Sequence, residues 1–326
     1  MLFLDTKYIL NCNFFLLNYL VLLLKTPLVS IVIPTFNRIS YLETAIESIF
    51  NQSYKNIQLI VVDDASTDNT TNVLQDKYGA RLKLIKSNIN LGQVKSLNKA
   101  WPKCEGKYVG YLSSDDYLYP EAILKLVRIL ESEADVVCVY PDNVLVDDIG
   151  KIIKHNVCGA FSFSHSFLSL ECPIGVGALF RKSLLKKTKG WNDRNSIMPD
   201  LDFWLNCSQY GKFLFLDEEL AAYRFHKDSG IYKKISIPEL NQILDMVKMM
   251  FTKNKFAKDF FDRKDEIYAQ AHFLMARHCL RSFDFKMGII LTKKAFMLRP
   301  KASTIVFIFK NFRYAYSPLI RMFFKI

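Results

Sequence analysis

No two of the seven cysteines are spaced C-x-x-C, and they lie scattered, odd in number, from Cys12 to Cys279. That pattern excludes a zinc ribbon and the disulfide framework of a small secreted domain, leaving reduced thiols of a cytoplasmic chain as the expectation. The five histidines, at 155, 165, 226, 272 and 278, have no metal-ligand spacing among them, and H-E-x-x-H is absent. There is no G-x-x-x-x-G-K-S/T and no G-x-G-x-x-G after the first β-branched run, and Gly175-Val-Gly177 is too short for a phosphate loop. Acid is missing from the last stretch. Phe285 to Ile326 carries nine Lys/Arg and no Asp or Glu, against a net +12 for the whole chain, so the body is nearly balanced and the tail basic.

What is present is core material. Of 326 residues, 50% are hydrophobic and 23% charged, which suits one large domain or two ordinary ones and excludes a disordered or collagen-like chain. Tyr8 to Leu24 is a run without charge, interrupted by Asn11, Asn13 and Asn18. Only Lys7 precedes it closely and no small-x-small site follows, so it does not read as a signal peptide. Three readings stay open: a single membrane span, an interfacial or self-packed helix, or a start codon chosen too early.

From Leu28 the chain alternates strand and helix. Strands are expected at Val29–Ile33, Ile57–Val62, Leu82–Ile85, Tyr108–Leu112 and Val136–Tyr140, as short β-branched or aromatic runs. Between them fall helices: one opened by a Ser40-x-x-Glu43 capping box, one capped by Asp68, then Val94–Trp101 and Pro120–Leu130. Crossovers of this length predict a mostly parallel sheet, whose ligands sit outside the carboxyl ends of the strands. Those ends carry Thr35-Phe36-Asn37, Asp63-Asp64 and Ser113-Ser114-Asp115-Asp116. Past Tyr140 come shorter strands and turns, at Pro141-Asp142-Asn143 and Asp147 to Gly150, and from Ile237 the chain reads as all helix.

Carboxylates at strand ends have two readings each. Asp115-Asp116 forms a turn before Pro120, or holds Mg²⁺ or Mn²⁺ against a diphosphate. Asp63-Asp64 caps the next helix, or accepts a hydrogen bond from a base or ribose.

Four blocks in series narrow this: Val29 to Arg38 (VSIVIPTFNR), Leu59 to Thr70 (LIVVDDASTDNT), Asn88 to Gly92 with Asn98, and Gly106 to Pro120 (GKYVGYLSSDDYLYP). Their order and spacing resemble the family 2 glycosyltransferases of GT-A fold, over roughly residues 28 to 229. The resemblance implies an α/β, Rossmann-like, mostly parallel sheet joined to a mixed half. It also implies inverting transfer of a sugar from a nucleotide-diphospho-sugar, with a UDP-sugar favoured, to an acceptor hydroxyl. Pro34, Thr35, Phe36 and Asn37 would line the base pocket, with Asp64, Asn90, Gly92 and Ser114 completing donor binding. Asp115 would take the metal position of the family's D-x-D, where Ser113 replaces the first Asp, with His226 either a further ligand of Mn²⁺ or Mg²⁺ or a structural residue.

After the Gly190-Trp191 turn, Asp200 holds the position of the family's catalytic base, although Pro199 replaces the preceding Glu. A carboxylate at a helix start is kept ionised by the dipole, so Asp200 is read as the base, its alternative role being the helix N-cap. Asp116, Gly177, Asp202, Trp204, Arg224 and Lys227 are candidates for acceptor or diphosphate contacts. The expected division is a hydrophobic segment 1–27, a transferase domain 28–230 and a helical extension 231–326. In the tail, Lys310, Arg313, Ser317, Arg321 and Lys325 align as one cationic stripe opposite Phe309, Phe312, Phe323 and Phe324, with Pro318 dividing the helix. That geometry suits an anionic membrane surface rather than nucleic acid, the alternative being packing on the protein's own body. The whole is expected to serve surface-polysaccharide or lipid-linked glycan synthesis, peripherally at the inner membrane face. The rival reading is a non-catalytic sugar-nucleotide-binding or scaffold protein, motivated by Ser113 and Pro199.

Overall fold

A computed structural model describes residues 26–226 and 235–300. The Tyr8–Leu24 run, Lys227 and the cationic tail lie outside the described residues. Among them, nine strands form one sheet in the order β3-β2-β1-β4-β8-β6-β9-β5, with β7 paired to β6. The first half is parallel. Strand β1 (Val29–Thr35) pairs with β2 (Ile57–Asp63) on one side and β4 (Tyr108–Tyr111) on the other, and β3 (Lys83–Lys86) adds to β2. Every residue of β1 is buried, as its run of Val and Ile requires of a central strand covered on both faces.

Helix α1 (Ile39–Phe50) returns the chain across the sheet, burying Leu42, Ala45, Ile46 and Ile49 at helical spacing. The expected Ser40 capping box does not form. Arg38 occupies the N-cap, Ser40 falls inside the first turn, and Glu43 pairs with Lys77 at 2.8 Å instead. Helix α2 (Thr70–Val73) is one turn, tightened by Asp68, whose carboxylate accepts from Thr70 N. Helix α3 (Gln93–Ala100) precedes β4, and α4 (Ala122–Ser132), starting two residues beyond Pro120, follows the short β5 (Tyr117–Leu118).

The second half is mixed, as expected. Strand β6 (Val136–Val146) is longer than its sequence suggests, because Pro141-Asp142-Asn143 lies within it rather than in a turn. Its pairing to β9 (Lys212–Arg224) shifts register on either side of Asp142, and such an irregularity is where a strand tolerates proline. Strand β7 (Ile152–Lys154) closes a hairpin at Gly150, and β8 (Leu179–Arg181) bridges β4 and β6 antiparallel.

Helices α5 (Phe163–Ser169), α6 (Ser183–Thr188) and α7 (Pro199–Cys207) pack beside this half. Three more follow: α8 (Ile237–Lys253), opened by a true Ser236–Glu239 capping box, then α9 (Lys264–Arg281) and α10 (Phe285–Leu298). Leu240, Ile243, Met246 and Val247 of α8 share one core with Phe167 of α5 and Leu201 and Leu205 of α7. Each such side chain contributes roughly 1.5–3 kcal/mol on burial, so this contact fixes α7 firmly.

Candidate active site

The carboxyl ends of β1, β2 and β4 open into a cleft of about 480 Å³. It lies between β1 and β4, where the strand order passes from one side of β1 to the other, the expected ligand crevice of such a sheet. Pro34, Thr35, Phe36, Asp64, Asn90, Gly92, Ser114, Asp115 and Arg224 all line it, as does Ser113. Phe36 is 40% exposed, an aromatic face kept in the open by its place just past the strand. Asp64 is buried and its carboxylate accepts from Leu91 N (3.0 Å) and Gly92 N (2.7 Å), so it pins the Asn88–Gly92 loop to the rim. The hydroxyls of Thr35 and Ser96 are buried without a protein partner and belong to lining residues. Ligand groups commonly satisfy such atoms.

Asp115 gathers the polar centre of the cleft. Its Oδ2 accepts from Arg38 Nη1 at 2.5 Å and lies 3.0 Å from His226 Nε2. His226 is buried with its ring 4.8 Å from that of Tyr41. The chemistry of this donor set fits a divalent cation. Asp115 and His226 are the residues that would hold it, a carboxylate oxygen and an imidazole nitrogen being ordinary ligands of such an ion. The protein supplies little beyond this pair, since no group of three His, Cys, Asp or Glu suited to a metal occurs among the described residues. Arg38 was not foreseen from sequence. The available signal was a cation three residues past a strand end that faces a presumed anion.

A second cavity of about 270 Å³ adjoins the first, sharing Ser113 and Tyr223 in its lining. Asp116 and Asp200 both open onto it. Asp200 is the second residue of α7, not its N-cap; Met198 takes that place, and Asn195 Oδ1 accepts from Ile197 N and Met198 N. Burial pushes the Asp200 carboxyl above the usual range, while the Leu201 and Asp200 amides and the Cys172 thiol pull it partly back. The helix start therefore moderates the effect of burial without overcoming it. Asp116 accepts from Arg224 N at 2.8 Å, and burial raises its pKa too, with neighbouring Asp115 adding to the rise. Asn143 forms the opposite wall by clamping both backbone groups of Val176.

Several candidates do other work. Asn37 takes a left-handed conformation (φ 52°) and its side-chain Oδ1 accepts from Thr67 N and Asp68 N, so it ties the loop after β1 to the loop after β2. Asp202 is buried on the far side of α7, accepting from Asn192, Asn195 and Asn206. Trp204 is a core residue against Phe180 and Phe203. Gly177 has φ 88° and packs under Leu118 and Pro141, outside both cavities. Arg224 lines the cleft, yet its guanidinium is engaged by the carbonyls of Asp115, Asp147 and Asp148.

The model of the family described as Glycosyl transferase family 2 matches residues 30–188. The chain is 30% identical over 221 residues to hyaluronan synthase of Pasteurella multocida, covering 68% of this chain and 23% of that protein. Chondroitin synthase of Escherichia coli matches at 30% over 219 residues, 67% of this chain and 32% of the synthase, so the chain spans a third or less of either. Putative glycosyltransferase EpsE of Bacillus subtilis matches at 30% over 220 residues, 64% of this chain and 77% of EpsE. In fold it resembles S. aureus TarS 1-349 in complex with UDP-GlcNAc (TM-score 0.61, 17% identity, 90% of this chain and 81% of that one). It also resembles the mannosyltransferase PcManGT of Pyrobaculum calidifontis in complex with GDP-Man and Mn²⁺ (TM-score 0.55, 16% identity, 91% and 87%). The expected GT-A architecture with a helical C-terminal region is thus the one observed.

Proposed function

The chain belongs to glycosyl transferase family 2, and from that premise we propose that it moves a sugar from a nucleotide-diphospho-sugar to an acceptor hydroxyl with inversion. The observation that carries the reading is the pair of adjoining cavities: one has an exposed Phe36 and the polar centre at Asp115, the other the carboxyl of Asp200. Phe36 stacks on the base, and the buried hydroxyls of Thr35 and Ser96 take hydrogen bonds from or give them to the nucleoside. The diphosphate lies toward Asp115, and the sugar crosses the shared wall at Ser113 and Tyr223. Asp200 takes the proton of the acceptor hydroxyl as its oxygen bonds to the anomeric carbon and the bond to the diphosphate breaks. A divalent cation held by Asp115 and His226 would neutralise charge on the departing diphosphate. The synthases among the relatives support a polysaccharide as the product and the neighbour in complex with UDP-GlcNAc a UDP-sugar as the donor; a lipid-linked acceptor remains a proposal from the cationic tail, which suits placement at a membrane surface. No described helix is long and apolar enough to cross a membrane.

Thermal unfolding with UDP-, GDP- and dTDP-sugars, with and without Mn²⁺, identifies the donor as the one giving the largest upward shift. With that donor, Asp200→Ala should keep nucleotide binding and lose donor hydrolysis and transfer. Wild-type chain that binds the donor yet turns none over would instead mark a sugar-nucleotide-binding protein.

A further inference from the structure

A third cavity, of about 470 Å³, lies between α6 with the turn after it and the C-terminal end of α8. Asp202 lines it, whereas Asp200, two residues earlier on α7, opens onto the second cavity, so the two cavities flank opposite sides of that helix. None of its described lining residues is shared with the other two. Three lysines converge on it from three elements: Lys187 of α6, Lys189 of the turn, and Lys253, the last residue of α8. No ion pair joins any of the three to a described residue. Lys187 Nζ stands 4.9 Å from the centre of the Tyr210 ring, which also lines the cavity and is exposed. Two acids share the lining. Asp193 is exposed, and Asp202 is buried with its carboxylate covered by the amides of Asn192, Asn195 and Asn206, so lysine charge prevails at the surface of the cavity. Trp191 belongs to the same lining, and its indole N–H is buried without a protein partner.

We propose that this cavity binds an anionic saccharide, a sugar unit bearing a carboxylate or a phosphate, at a site separate from the donor cleft. The ammonium groups take the charge, the C–H face of the sugar ring covers Tyr210, and a sugar oxygen accepts from the Trp191 indole. A bilayer or a nucleic-acid strand is met by a broad basic face, whereas these lysines surround a cavity of small-molecule size. The choice of a saccharide rests on the proposed sugar transfer, since a chain that extends a glycan gains by holding it beyond the reacting unit. Only the width of α7, about 10–12 Å with side chains, separates a glycan bound there from the proposed base. The two cavities also meet through one ring contact: Trp191 packs edge-on against Tyr111 at 5.0 Å, and Tyr111 lines the second cavity.

Of the three tryptophans it is Trp191 that lines this cavity, which supplies an optical readout. In the full chain, tryptophan fluorescence follows titrations with an oligogalacturonate, a glycerol-phosphate oligomer and neutral maltohexaose, and UDP and GDP are titrated calorimetrically as the control for the donor cleft. Wild type should respond to at least one anionic oligomer, with affinity falling as salt rises, and far less to maltohexaose. The oligomer that binds more tightly identifies the charged group. The triple variant Lys187→Gln, Lys189→Gln, Lys253→Gln should bind that oligomer about tenfold more weakly or worse, with UDP and GDP affinities unchanged. Trp191→Phe should lose most of the fluorescence response. Because the three lysines are exposed, the triple variant keeps the test intact if Trp191→Phe does not fold. No response to either anionic oligomer, an equal affinity for maltohexaose, or unchanged affinity in the triple variant overturns the site. If wild type binds an anionic oligomer here yet neither UDP nor GDP, the sugar-nucleotide reading of the donor cleft fails and this site stands.

Discussion

Burial makes opposite demands on Asp200 as a folding residue and as the proposed base. Its carboxyl is raised above the ordinary value of 3.8 chiefly by burial. Between that value and the raised one, the folded chain keeps a proton that the unfolded chain has released. Stability therefore falls as pH rises through this window and stays lower above it. Asp200→Asn removes the ionisation, so its melting temperature at pH 7 should exceed that of wild type, and the difference should close below the ordinary carboxylate pKa. The same substitution removes the proposed proton acceptor, and turnover should drop by ~10²–10⁴ with nucleotide affinity nearly unchanged. A variant keeping more than a tenth of wild-type turnover would move the base elsewhere in the second cavity. In wild type, kcat/KM should rise with pH along an acidic limb centred above 3.8. Phe36→Ala should weaken nucleotide binding about fivefold, the loss of one stacking face, without changing the pH profile.

Helix α7 shows how one element serves two ends. Residues two apart on a helix point to nearly opposite sides, so Asp200 faces the second cavity and Asp202 turns away from it toward Asn192, Asn195 and Asn206. There Asp202 closes a turn by accepting from the three asparagine amides. Asp202→Ala leaves those donors unpaired and should cost about 2–4 kcal/mol in chemical denaturation. The sequence makes the opposite facing of the two acids legible, but not the destination of Asp202, because its partners carry no periodic signature. Strand ends were legible for a firmer reason: a β-branched run that stops at a polar residue has only one place to put it. Asn37 was misplaced because a strand-end position does not reveal a positive φ, which turns its amide toward Thr67 and Asp68. Pro141 argued against a strand, and only the register shift around Asp142 accommodates it. Arg38 was hidden by its role at the helix N-cap, where long-range pairing to Asp115, 77 residues away, leaves no local trace.

Across the whole molecule, the core under α7 is completed by residues more than thirty positions further along the chain. Leu201 and Leu205 are fully buried against Leu240, Ile243, Met246 and Val247, and Asn254 donates to the carbonyl of Leu205 at 2.7 Å. The helices after residue 235 are therefore the other half of the surface that holds the helix carrying Asp200. Ending the chain at 234 uncovers at least these two leucines and Phe167, a loss of several kcal/mol at about 1.5–3 kcal/mol per side chain. That is comparable to the entire stability of an ordinary domain. Such a truncation should lose its sharp thermal transition, or melt far lower, and should lose turnover before nucleotide binding, because the nucleotide cleft sits on β1, β2 and β4 instead. Removing 303–326 should do neither, and should abolish sedimentation with anionic liposomes at low salt. Thermal unfolding, donor hydrolysis and liposome pelleting on the two truncations separate these roles. A 1–234 chain with an unchanged transition and full turnover would show that α8 to α10 only rest on the transferase fold.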